Sequence, residues 1–162
     1  MIDPEFRRLH PIKEGNRKYR FTLTRDVKVR LTGSLVSHPD CDFIGSDGRV
    51  WASIINGCLT VKAEYSWNGC NPKTYVGIGR LGKWVGTPYF PQTIMASLYH
   101  DVFFQFSYPA QYELYDVNLF FYRCLCKEDF VLADQYYFFV RKYGHLYFRR
   151  DQTVNIKYYE HQ

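Results

Sequence analysis

The chain has 162 residues, long enough to bury one core without disulfide or metal staples, and 21 basic against 16 acidic residues leave a formal charge of +5. That mild excess falls short of the dense basic stripe by which nucleic-acid binders announce themselves. Heavy use of Tyr (15) and Phe (13) predicts strands, tight packing and some aromatic surface, and no apolar run reaches the length of a membrane span.

The first eighteen residues, MIDPEFRRLHPIKEGNRK, are basic and aperiodic. They predict a flexible arm that contributes little to stability, and residues 3–6 have the look of a vector junction. Residues 19–162 are read as one α+β domain. From residue 19, YRFTLTRDVKVRL alternates in the strand period, and VSHPDCDFIGSDGRV is rich in turn residues. VWASIINGCLTVKAEY places two strand-like runs around Asn56-Gly57, the favoured two-residue hairpin turn. The expected N-terminal half is an antiparallel β-meander from about residue 19 to 65.

Residues 66–92 form a long connection rich in Gly and Pro. Within it Gly77, Gly79 and Gly82 match G-x-G-x-x-G, but no βαβ unit surrounds them, so a loop needing positive φ is the better reading. Beyond residue 92 the pattern turns helical. Met95, Leu98, Tyr99, Val102, Phe103 and Phe106 make an apolar stripe at helical spacing, behind Pro91 and Thr93 as start signals. A second helix is expected over 111–127 and a third over 128–144, with acids at its start, Arg141 and Lys142 in its last turn and Gly144 as its stop. The segment HLYFRRDQTVNIKYY reads as a final β-hairpin returning to the sheet. The meander should therefore pack on about three C-terminal helices.

Five cysteines, Cys41, Cys58, Cys70, Cys124 and Cys126, occur without any C-x-x-C pair. They read as the reduced, buried thiols of a cytosolic protein rather than a disulfide framework or zinc site.

His100 and Asp101 stand side by side in the apolar run ASLYHDVFF. At about 100° per residue they fall on opposite flanks of the stripe, so a helix wedged between a sheet and other helices would put one in each seam. They are either a general base with a metal or substrate ligand, or satisfied polar groups of a core; spacing favours the second.

YSWNGCNPK (65–73), GTP (86–88), ASLYHDVFFQF (96–106), VNLFFYRCL (117–125) and YYFFVRKYG (136–144) follow one another in that order. In this the chain resembles the phage and prophage family catalogued as domain of unknown function 1353, over roughly residues 50–144. The resemblance implies a phage context and a shared polar constellation of Asn68, His100, Asp101, Asn118 and Arg141. Asn68 stands where the loop motif has Asp, and Val117-Asn118 where the second helix has Ala-Asp. Amides cannot act as bases or neutralise a metal, so this chain would be catalytically impaired if the constellation is catalytic.

Two functions follow as expectations. The first is a protein-binding module without a cofactor, engaging a host or phage protein as a virion component or an inhibitor of a host or defence protein. The second is a calcium-assisted hydrolase with His100 and Asp101 as catalytic residues. Their pairing on a helix is similar to that of secreted phospholipases A2, with residues 77–82 as the glycine-rich loop. Nucleic acid is not an expected partner, because no recognition helix or aromatic-basic strand accompanies the arm.

Overall fold

The computed structural model describes residues 5–8, 19–69, 73–76, 83–86 and 90–160. In chain order the strands are β1 (Phe6–Arg8), β2 (Phe21–Leu23), β3 (Val27–Arg30), β4 (Cys41–Ile44), β5 (Val50–Ile55), β6 (Cys58–Val61), β7 (Ser66–Trp67), β8 (Lys73–Val76) and β9 (Lys83–Gly86). Four helices follow, α1 (Pro91–Gln105), α2 (Ser107–Ala110), α3 (Leu114–Lys127) and α4 (Ala133–Tyr143), and then β10 (Asn155–Tyr158). This is the α+β architecture expected, with antiparallel sheets first and helices after.

The hairpin is where the sequence puts it. Asn56 and Gly57 both take positive φ, +50° and +67°, as a type I′ turn requires, and β5 and β6 pair in register from Ile55↔Cys58. The alternating run from Tyr19, however, is not one strand. Asp26 breaks it by accepting hydrogen bonds from the Ala63 N–H at 2.8 Å and Lys62 Nζ at 2.9 Å. The chain turns there, and β2 and β3 enter different sheets. The larger sheet has the order β10-β4-β5-β6-β3, and a smaller one has the order β1-β2-β7. Only β4, β5 and β6 form the expected meander.

Inward-facing residues of the larger sheet, Phe43, Ala52, Ile54, Leu59 and Val61, are fully buried. The apolar stripe of α1 lies on them, with Phe106 stacked on Phe43 at 5.0 Å. Leu98, Val102, Phe103 and Phe106 are sealed, Tyr99 is buried and Met95 is half-buried. On its other side α1 packs against α3, and α3 against α4, around a second cluster that includes Ala96, Phe121, Leu125 and Phe130. The helix is thus buried on two sides, as a wedged helix must be.

Several expectations are corrected. No final hairpin forms: after a 3-10 turn at Gly144–Leu146, only β10 is a strand, and it closes the large sheet by pairing with β4. The third helix begins at Ala133, because Asp129 at φ +51° breaks the chain first. Gly144 does not stop α4 in a left-handed conformation; its φ is −58°. Its small size matters instead, since a Cβ would lie 3.3 Å from Phe104 Cζ and 3.7 Å from Asn118 Nδ2. The connection from 66 to 92 contains β7 and an antiparallel β8–β9 pair; Gly77–Gly82 lie outside the described residues. Of the described thiols only Cys41 is buried and Cys126 is exposed; Cys70 lies outside the described residues.

Part of the expected arm is structured. β1 pairs with β2, and the Phe6 ring meets Phe21 at 5.8 Å and Trp67 at 6.2 Å. Residues 9–18 lie outside the described residues.

Candidate functional site: the two flanks of helix α1

Helix α1 starts at Pro91, whose missing N–H costs nothing at that position, and Thr93 Oγ1 donates to the Phe90 carbonyl at 2.8 Å. From there its turns carry His100 and Asp101, both half-buried, into different seams.

His100 faces α3. Its ring lies 4.2 Å from Phe104 and 4.8 Å from Phe121, centroid to centroid. Nε2 is 3.0 Å from Asn118 Oδ1, and Asn118 Nδ2 donates to the Val140 carbonyl at 3.3 Å. That second bond fixes the amide, because a carbonyl only accepts; Oδ1 therefore faces the ring and His100 carries its proton on Nε2. One buried side chain, Asn118, thereby ties α1, α3 and the end of α4. An aspartate at 118 would set lone pairs against the Val140 carbonyl, so the amide is the better fit to this seam. Burial pulls the His100 imidazole down to about 4, partly opposed by the Asn118 bond, and the ring is neutral at pH 7.

Asp101 faces β7. The Asn68 backbone N–H bonds its carboxylate, but burial is the larger effect and pushes the carboxyl up to about 7. Two further bonds flank it. Trp67 Nε1 donates to Ser97 Oγ at 3.2 Å, and Tyr65 Oη donates to Gln105 Oε1 at 2.8 Å. Ser97, Asp101 and Gln105 sit at i, i+4 and i+8, one polar line of α1 meeting Trp67, Asn68 and Tyr65 in turn. Sequence reading missed this ladder. Its signal was the four-residue spacing of Ser97, Asp101 and Gln105 along α1.

The five residues expected to form one network are thus divided. His100 and Asn118 meet in one seam, and Asp101 and the backbone of Asn68 in the other; the Asn68 side chain is exposed. Arg141 joins neither. It is exposed on α4, with its guanidinium 5.5 Å from the centre of the Tyr137 ring. The helix-end charge suits the dipole, but Asp101 faces the sheet side of α1 and does not use it.

Chemically, His100 has its Nε2 proton committed and is a weak base at neutral pH, whereas Asp101 is near half-protonation there. They point away from each other, so one substrate cannot meet both. Among the described residues, no helix is long and apolar enough to cross a membrane.

Comparison with protein-family models, curated proteins and solved structures gives no match.

Proposed function

We propose that the chain is a protein-binding module of a phage or prophage, engaging a host or virion protein, and not a hydrolase. The observation that carries this reading is an exposed aromatic and cationic face on α4. Phe138 is 59% exposed and Tyr143 45%, with Lys142 Nζ 5.7 and 5.3 Å from their ring centres. Tyrosine and arginine are favoured anchors of protein interfaces. The phage context rests on the resemblance of the motif order described above. The separation of His100 from Asp101 argues against the calcium-assisted hydrolase, which needs both groups at one reacting centre.

Two measurements test it. Affinity capture from bacterial lysate, with candidates then purified and titrated directly, should give a protein bound by the wild type and lost by the double variant Phe138→Ala, Tyr143→Ala. A calcium-dependent ester hydrolysis that disappears in His100→Ala while the melting temperature stays unchanged would overturn the proposal.

A further inference from the structure

The segment Tyr137–Arg150, YFFVRKYGHLYFRR, contains four cations and no acid. The acids that flank it are engaged elsewhere: Asp134 Oδ1 accepts from Tyr122 Oη at 2.7 Å, and Asp151 Oδ1 from the Thr153 N–H and hydroxyl at 2.9 and 2.6 Å. The ion pairs among the described residues, Arg25–Glu5, Arg49–Glu64 and Lys62–Asp26, all fall before residue 65.

The cations are held on the rings. Lys142 Nζ lies 5.7 Å from the Phe138 centroid and 5.3 Å from that of Tyr143, lodged between the two. Arg150 lies 5.5 Å from the Tyr147 ring. A lysine so restrained loses less side-chain freedom when it meets an anion than one waving in solvent. The same contacts occupy ring faces that nucleotide bases would need for stacking, and Phe139 and Tyr143 already stack on each other at 6.2 Å. The charge calls for an anionic partner, and the ring placement favours a polypeptide over a nucleic acid.

Resting on the protein-binding reading above, we propose that this face, centred on Phe138, Lys142 and Tyr143, docks an acidic segment of a partner protein. Carboxylates of the segment meet Lys142, and its apolar side chains lie against the ring edges.

The test is fluorescence anisotropy of the full chain with three labelled probes: a peptide of repeated Glu-Glu-Leu-Gly, the same peptide with Gln for Glu, and an oligothymidylate of similar length. The Glu peptide should bind best. Lys142→Glu should weaken it about tenfold or more, since it sets a like charge against the carboxylates of the peptide. Phe138→Ala with Tyr143→Ala should also weaken it, whereas Lys28→Glu on exposed β3 should not. The substituted side chains are exposed, and thermal melting checks that each variant folds. Tighter binding of the oligothymidylate, equal binding of the Gln peptide, an equal loss in Lys28→Glu, or no binding of the Glu peptide would each overturn the proposal. If the Glu peptide fails while the α4 double variant still loses a captured protein, the acidic chemistry is wrong and the docking face stands.

Discussion

The two flanks of α1 are built from neighbouring residues and behave in opposite ways. Toward α3 and α4, the seam is aromatic and holds one neutral polar pair, His100 with Asn118. Toward β7, the seam is a ladder of three polar contacts from Ser97, Asp101 and Gln105 to the Tyr65–Asn68 segment. Burial lowers the imidazole and raises the carboxyl, in each case favouring the uncharged form. The lesson is that titratable residues adjacent in sequence need not be a functional pair. On a helix packed on two sides, each answers to its own seam.

The largest expected effect is on the helical seam. His100→Ala removes the donor to Asn118 Oδ1 and the ring between Phe104 and Phe121, and should destabilise the chain by about 1–3 kcal/mol in denaturant melts. The pH profile sharpens the test. The folded imidazole sits at about 4 against an ordinary 6.5, so between those values the unfolded chain takes up a proton that the folded one refuses. Stability contributed by the neutral histidine is present above 6.5 and is lost as pH falls toward 4. That loss on the acid side should be absent in His100→Ala.

The strand-side seam should titrate with the opposite sign. The folded Asp101 carboxyl sits at about 7 against an ordinary 3.8, so the folded chain binds the proton more tightly in that window. Its contribution is most favourable below 3.8 and is eroded as pH rises through 7. Asp101→Asn keeps an oxygen acceptor for the Asn68 N–H and removes the buried charge. It should raise the melting temperature at about pH 8 and leave it nearly unchanged at about pH 4. An equal shift at both values would break the comparison.

A smaller effect is expected at the end of the ladder. Gln105→Ala leaves the buried Tyr65 hydroxyl without its acceptor and should cost about 1 kcal/mol, with no change in the pH profile that Asp101 governs. Phe6→Ala should cost a comparable amount. It strips an edge contact from Phe21 and Trp67, although the composition of the first eighteen residues suggested a dispensable arm. Chemical denaturation of the two variants measures both.

What the sequence made legible was local. Asn56-Gly57 named its turn, the stripe from Met95 to Phe106 named its helix, and the helical wheel separated His100 from Asp101 correctly. Long-range choices were not legible. Nothing near Asp26 says that its carboxylate will cap the backbone at Ala63 and send β2 and β3 to different sheets. Nothing near Asn155 says that one strand, not two, will close the sheet against β4. A wheel gives the angle of a side chain and not its neighbour: α3 carries Asn118 buried and Tyr115 61% exposed. Arg141 failed for the same reason.

Arg141→Ala supplies the smallest effect and the cleanest control. If His100, Asp101 and Arg141 formed one network, removing the guanidinium would leave a buried carboxylate unpaired, with a cost of several kcal/mol and a further rise in the Asp101 pKa. In the structure the guanidinium is exposed and its contact is the Tyr137 ring. Such a contact in solvent is worth about 0.5–1 kcal/mol at most, and surface changes usually stay within about 0.5 kcal/mol. Arg141→Ala should therefore melt within experimental error of the wild type, and the stability changes from pH 4 to 8 assigned to His100 and Asp101 should survive intact. A loss as large as that of His100→Ala, or a displaced Asp101 titration, would show that the two seams communicate through α4.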